Sequence, residues 1–413
     1  MPVHTLEEIY TPDVLTMQQH RYADAMNEFA KLYGCEPTRI FSAPGRTEVG
    51  GNHTDHNHGK VLAAGVSLDV IAMVIPTEDG IIEVKSAGFP ADKVDTSDLS
   101  VIAGEEGTSA ALIRGVAAGF AKNGHSIGGF KAYTTSNVLK GSGLSSSAAF
   151  EVLIGNILNG LYNEHSVSPV EIAQISQYAE NVYFGKPSGL MDQMASSVGG
   201  FITIDFADPA KPVIEEINFD LASAGVDLCI VDTKGSHADL TPEYAAIPQE
   251  MKAVAGFFGR EVLGDITKEQ LLEALPALRE KFSDRAVLRA LHFAEENLRV
   301  EEEKQALASG NLPAFLDTVK RSGRSSYMYL QNVFAASDPA HQGLSVALFI
   351  AEDVLQGEGA YRVHGGGFAG TIQAFVPDSR LEAFKSAMEN AFGEGSCYVL
   401  SIRPFGGTEV KMC

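Results

Sequence analysis

The chain has 413 residues, 45% of them hydrophobic, enough to bury a large core and to divide into two domains. A formal charge of −22 argues against nucleic acid or an anionic membrane as partners, so any bound phosphate must be held by helix ends, Mg²⁺ and single arginines. Cys35, Cys229, Cys397 and Cys413 share no metal-type spacing, no apolar run reaches membrane-spanning length, and the first residues show no basic-then-apolar signal pattern; a soluble protein of the reducing cytoplasm is expected.

Residues 12–34 read as an amphipathic helix stopped by Gly34. Strands are predicted over 38–43, 61–75 and 81–86, the last two joined by a Glu78-Asp79-Gly80 hairpin turn. Between the first two strands run Ala43-Pro44-Gly45-Arg46, Gly50-Gly51 and Asn52-His53-Thr54-Asp55-His56-Asn57-His58-Gly59. This stretch is too polar and Gly-rich for a core strand and is expected as a loop. Several hydrogen-bonding side chains converge in it, as a polyhydroxylated ligand requires: one carboxylate accepts from two vicinal hydroxyls, and His or Asn serves a third. No pair of its histidines is matched to a carboxylate in a recognised zinc spacing. A merely solvated loop is the alternative.

A helix is predicted from Ala110 to Lys122, ended by Asn123-Gly124, then a strand over 129–135. Gly141 to Leu153, GSGLSSSAAFEVL, follows. Its glycines let backbone approach an anion, its helix start offers unpaired N–H groups, and its hydroxyls can donate to phosphate or complete a magnesium shell. No Gly-Lys-Ser/Thr closes it, so it is not a Walker loop; a Ser-capped helix after a flexible turn is the other reading. Helices are predicted at 146–163 and 169–183 and a strand at 201–206 after Gly199-Gly200. Glu180 and Asp192, the latter in Gly189-Leu190-Met191-Asp192-Gln193, suit one Mg²⁺ ligand and one base for a hydroxyl; taken singly each reads as a surface charge.

The second half holds a strand at 226–232, a helical block over about 242–356, a strand at 371–376, a helix at 378–392 and a strand at 397–403. His364-Gly365-Gly366-Gly367-Phe368-Ala369-Gly370 precedes the 371 strand and either lets backbone pass close to a ligand or forms a plain glycine turn. Without regular βαβ alternation or internal repeats the fold class is α+β, with domains expected at 1–205 and 206–413.

APGR…GGNHTDHNHG, GSGLSSSAA, E…GLMDQ and HGGGFAG, in that order over roughly residues 40–376, resemble the motifs of the GHMP small-molecule kinases, and the first resembles the galactokinase signature. The resemblance implies a two-domain GHMP kinase fold, mixed β-sheets with helices and an active site between the domains. It implies transfer of phosphoryl from ATP, with Mg²⁺, to the anomeric hydroxyl of galactose. A related sugar (galacturonate, L-arabinose or N-acetylgalactosamine) and a galactose/ATP sensor are the alternatives; the retained chemistry residues argue against the sensor. By the same match Gly141, Gly143, Ser145, Ser146 and Ser147 wrap the nucleotide phosphates, and Ser147 and Glu180 ligate Mg²⁺. Asp192 stands beside the anomeric hydroxyl, paired with Arg46. His53 and Asp55 hold sugar hydroxyls, Asp55 bridging O3 and O4, and Gly189 and Tyr244 are further sugar contacts. A monomer or weak homo-oligomer is expected.

Departures from the pattern lie on the substrate side. Asn52 stands where galactokinases usually carry a glutamate facing the C6 hydroxyl, so Asn52 is expected to face the sugar with a weaker grip, and Asn52→Glu to raise kcat/KM for galactose. Leu139 replaces a usual proline, Arg321 to Ser326 a Ser-His-x-Ser-Leu block, and Arg362-Val363-His364 a basic-Met-Thr stretch.

Overall fold

The computed structural model describes residues 3–138, 143–235 and 240–412. A short strand β1 (Val3–Thr5) and helical turn α1 (Leu6–Ile9) lead into α2 (Pro12–Tyr33). Pro12 opens α2 at a position where its missing N–H costs nothing, and Gly34 closes it at φ +71°. Its buried face, Gln18, Tyr22, Ala25 and Phe29, follows the helical period.

The two long strands β2 (Arg39–Gly50) and β3 (Lys60–Thr77) pair antiparallel at the centre of the first sheet. β3 is apolar over most of its length because it is covered on both faces. The sheet forks along its far edge. Near its start β3 pairs with β7 (Phe201–Asp205) and, beyond that, β8 (Val213–Ile217). Near its end β3 pairs with β6 (Gly129–Ser136), which carries β4 (Ile81–Ser86) and β5 (Ala91–Asp95). On the other side β2 meets β13 (Thr408–Lys411), the far end of the chain, which in turn pairs with β1. This sheet thus continues past residue 205 to Ile217 and takes a strand from 408–411.

Helices α3 (Ser109–Lys122), α4 (Ser146–Tyr162), α5 (Pro169–Tyr178) and α6 (Met191–Val198) pack together, with α4 and α6 also against β2 and β3. α4 is buried on nearly every side between these elements, which is why its sequence is almost wholly apolar after its first turn. The second sheet runs β10 (Ala360–Val363), β11 (Thr371–Pro377), β9 (Val226–Asp232), β12 (Cys397–Leu400), all antiparallel, and α12 (Gly343–Leu355) and α13 (Leu381–Phe392) share an apolar cluster with it. Helices α7 (Thr241–Phe257), α8 (Lys268–Glu273), α9 (Leu275–Lys281), α10 (Asp284–Ala308) and α11 (Leu312–Ser325) complete the helical block, with α10 reaching back onto β2, β3 and β8.

The α+β expectation is met, and most predicted elements occur near their predicted bounds. The loop expected over 43–50 does not: these residues are the second half of β2, and nearly all are buried. Register shifts between Pro44 and Arg46 and between Glu48 and Gly50 absorb the proline and glycines. Distant side chains meet the strand's polar groups: Thr47 Oγ1 lies 3.1 Å from His364 Nε2, and Glu48 accepts from Arg362 at 3.0 Å. Gly50 is a glycine because the buried Glu303 carboxyl occupies the space a Cβ would need. The helix expected over 169–183 ends at Tyr178 and continues as a π-helical turn, Ala179–Phe184.

Candidate active site

Where β2 and the starts of α4 and α6 meet the β10–β11 segment of the second sheet, a cleft of about 310 Å³ opens, lined by Arg46, Gly143, Ser145, Ser147, Lys186, Asp192 and His364 among others. A second cavity of about 620 Å³ lies elsewhere, between β8, β12 and the 218–222 segment, and none of the sequence-predicted site residues lines it.

One wall of the cleft is the start of α4. Ser145, just before the helix, sits at φ +54°, a conformation that costs a non-glycine residue on the order of 1 kcal/mol and tends to persist at functional sites. Its side chain makes no capping hydrogen bond, so the Ser-capped helix is not what forms. Ser146 and Ser147 occupy the first turn, where amide N–H groups have no intrahelical acceptor. Gly143 brings its backbone against this wall, with its carbonyl accepting from Arg46. The Gly141 expectation lies outside the described residues.

Ser147 Oγ donates to Glu180 Oε1 at 3.1 Å. Glu180, 1% exposed on the π-helical turn, also accepts from Lys186 Nζ at 3.1 Å, Ser188 Oγ at 2.6 Å and Gln193 Nε2 at 2.7 Å. A hydroxyl and a carboxylate on adjoining elements form a hard-oxygen donor set that suits Mg²⁺. The widened π turn brings Glu180 to this position, a use of π-bulges common at functional sites.

Asp192, in the first turn of α6, accepts from Arg46 Nε at 2.8 Å. Burial alone would raise its carboxyl. The Arg46 charge and hydrogen bond, helped by Ser145, overcome that and hold it below the usual carboxylate range. Arg46 is nearly buried, yet the Asp192 side chain retains 25% exposure, so it keeps an open side toward the cleft.

The sugar-side residues predicted from sequence do not line the cleft themselves, and two of them bond the glycines of its wall. Asp55 Oδ2 fills the space a Cβ on residue 189 would need, so only glycine fits there. His53, at φ +59°, donates from Nε2 to the Gly366 carbonyl at 3.0 Å, and the Tyr244 hydroxyl donates to the Gly367 carbonyl at 2.8 Å. The Gly365–Gly367 strap therefore joins the two halves of the molecule here. Burial, foremost, lowers His53 to about 4 and His364 to about 3, so both rings are neutral at physiological pH.

Asn52 is placed differently from its expectation. It is fully buried; its Nδ2 donates to Glu48 Oε1 and to the Gly365 carbonyl, both at 2.8 Å. Its Oδ1 accepts from Asn332 at 2.9 Å and Ser326 at 3.2 Å. An amide has two donors and two acceptor sites, so nothing remains for a sugar hydroxyl. The reason is the strand upstream: Glu48 on β2 and Arg362 on β10 supply a buried polar seam that Asn52 completes. Glu48, Lys186, Gln193, Arg362 and His364 are members of this region that the sequence reading did not assign. Gln193 adjoins Asp192 and Lys186 falls inside the third motif, which are usable signals; Glu48 lies in a segment read as loop, and Arg362 in a stretch that was assigned no element.

Comparison with known proteins identifies the family. Residues 27–76 match the family model of the galactokinase galactose-binding signature, and residues 111–200 that of the GHMP kinases N terminal domain. A galactokinase of Streptomyces coelicolor is 33% identical over 367 residues, covering 88% of this chain and 91% of that protein. The crystal structure of Lactococcus lactis galactokinase complexed with galactose superposes with a TM-score of 0.79 at 24% identity, covering 94% of this chain and 99% of that one. A mevalonate kinase from Methanococcus jannaschii superposes at 0.63 with 14% identity, covering 88% and 98%. These two structures speak for the fold, and the motifs together with the Streptomyces relative for the closer kinship: the chain belongs to the galactokinase family of GHMP kinases.

Proposed function

We propose that the protein transfers the γ-phosphoryl group of ATP to the anomeric hydroxyl of galactose, giving galactose 1-phosphate. The observation that carries this is the Arg46–Asp192 pair, 2.8 Å apart, which lines one cleft with the open start of α4. The α4 amides, Ser145, Ser146 and Ser147 receive the nucleotide phosphates, with Gly143 and, by the motif match, Gly141 completing the loop. Lys186 adds a positive charge on the same side. Ser147 and Glu180 would hold Mg²⁺, which supplies charge neutralisation on the phosphates when bound. Asp55 and His53 take sugar hydroxyls, and Asp192, ionised at neutral pH, accepts or aligns the proton of the anomeric one. Phosphoryl transfer needs such alignment and charge stabilisation more than covalent help.

Among the described residues no helix is long and apolar enough to cross a membrane, and Cys35, Cys229 and Cys397 are free thiols. An ADP-release assay over galactose, galacturonate, L-arabinose and N-acetylgalactosamine tests the activity, with galactose expected to be turned over best. Asp192→Asn should lower kcat by roughly 10²-fold or more while calorimetry still records galactose binding. Near-normal turnover in that variant removes Asp192 from the reaction.

A further inference from the structure

Asn52 leaves the sugar pocket without the carboxylate expected at that position, and the structure holds another one beside it. Glu48 is two residues beyond Arg46 in an unbroken stretch of the β2–β3 register, Arg46 opposite Gly65 and Glu48 opposite Ala63. The two side chains therefore leave the same face of the strand. Glu48 Oε1 is occupied, accepting from Asn52 Nδ2 at 2.8 Å and Arg362 at 3.0 Å. No described group donates to Oε2. The orphaned oxygens of Glu151 and Glu303 are sealed from solvent, whereas Glu48 keeps 6% exposure and its Oε2 is not sealed. Besides Arg362, the charged groups that act on it are Arg46 and Asp55.

We infer that Glu48 is the specificity-determining residue at the far end of the sugar, its Oε2 accepting the C6 hydroxyl. This rests on the galactose 1-kinase reading above. Asp192 and Asp55 serve the anomeric, O3 and O4 hydroxyls. The contact between Asn52 Nδ2 and Glu48 Oε1 puts the Glu48 carboxylate one hydrogen-bond length from the end of the residue-52 side chain. Asn52 with Arg362 holds Oε1 and fixes the rotamer, which leaves Oε2 free to accept. An acceptor oxygen in that place favours a hexose with a free C6 hydroxyl and disfavours a C6 carboxylate, which has no proton to donate.

The test compares kcat/KM of the wild-type protein and Glu48→Gln on galactose, 6-deoxygalactose and 2-deoxygalactose. The wild type should prefer galactose to 6-deoxygalactose by roughly 10- to 100-fold, as expected when a partly buried acceptor loses the hydroxyl that donates to it. Glu48→Gln should shrink that preference by about 10-fold while the galactose/2-deoxygalactose ratio stays within about 2-fold. Equal loss on all three sugars overturns the inference, reducing Glu48 to a partner for Arg362; a shrunken 2-deoxygalactose ratio assigns it to another hydroxyl and overturns it as well. Should Glu48→Gln fail to fold with Arg362 left uncompensated, 6-deoxy-6-fluorogalactose with the wild type decides. Fluorine cannot donate, so this sugar should react no better than 6-deoxygalactose; reactivity near that of galactose sinks the acceptor role. A wild-type protein inactive on galactose altogether defeats the proposed function itself, an outcome distinct from activity with unchanged ratios.

Discussion

At residue 52 a buried amide is satisfied on every side, and that reverses the expected effect of a substitution. Asn52→Glu would set a carboxylate against Glu48 Oε1 and the Gly365 carbonyl, two acceptors that now receive the amide hydrogens. An acceptor facing acceptors in a buried site loses both hydrogen bonds and adds like-charge repulsion, at a cost of about 2–4 kcal/mol. The variant is therefore expected to unfold at lower denaturant and to lose kcat/KM for galactose, where the sequence reading expected a gain. A variant with unchanged stability and higher kcat/KM would return the residue-52 side chain to the sugar. The type of chemistry at this position was legible in the motif; the direction of the side chain was not. That direction depends on Ser326, Asn332 and Arg362, which are hundreds of residues away in the chain.

Among the elements, the junction of α4 with the π-helical turn matters most. The two elements are adjacent only after packing, and Ser147 and Glu180 meet across the gap at 3.1 Å. Glu180 is also the acceptor for Lys186, Ser188 and Gln193, so truncation to alanine would leave buried donors unpaired and confound any metal effect. Glu180→Gln keeps the shape and one oxygen while removing the charge. It should raise the Mg²⁺ concentration for half-maximal rate by roughly 10-fold or more, with galactose affinity in the absence of nucleotide unchanged. A magnesium titration that superposes on the wild type would make Glu180 a structural hub alone. The serine run and the acid at 180 were readable because both lie in short local motifs. The π turn and helix α6, which aim Glu180 and Asp192, carried no such pattern: the first differs from an α-helix by one residue of slack, and the second is only Met191–Val198.

For the whole molecule, buried imidazoles set the acid limit. His53 and His292 are lowered to about 4 and His364 to about 3, burial being the largest cause in each. Neutral His292 fits its contacts, donating from Nε2 to the Asn52 carbonyl at 3.0 Å and accepting at Nδ1 from Ser325 at 2.8 Å. A histidine whose folded value lies below its unfolded 6.5 stabilises the fold fully above pH 6.5 and loses that contribution as pH falls toward 4. Glu48 has the opposite sign: burial raises it from 4.5 to about 7, so its ionisation costs the fold increasingly as pH rises through that range. Chemical denaturation across pH 4 to 8 should show stability falling on the order of several kcal/mol below pH 6.5, with His292→Gln flattening that limb. A flat acid limb in the wild type would mean these rings are charged in the fold.

The sequence by itself determined the elements that depend on neighbours in the chain: helix α2 with its Gly34 stop, the serine run that opens α4, the acids at 180 and 192 in their short motifs, and the α+β class. Periodicity and capping are local, so single segments carry them. Tertiary structure alone decided that 43–50 is a buried strand, that β13 from the far end of the chain closes the first sheet beside β2, and that Glu48 and Asn52 have the partners they do. A polar, glycine-rich segment is a stable core strand only when remote side chains satisfy each of its groups. Arg362, His364 and Glu303 do that here, and no local pattern in β2 encodes them.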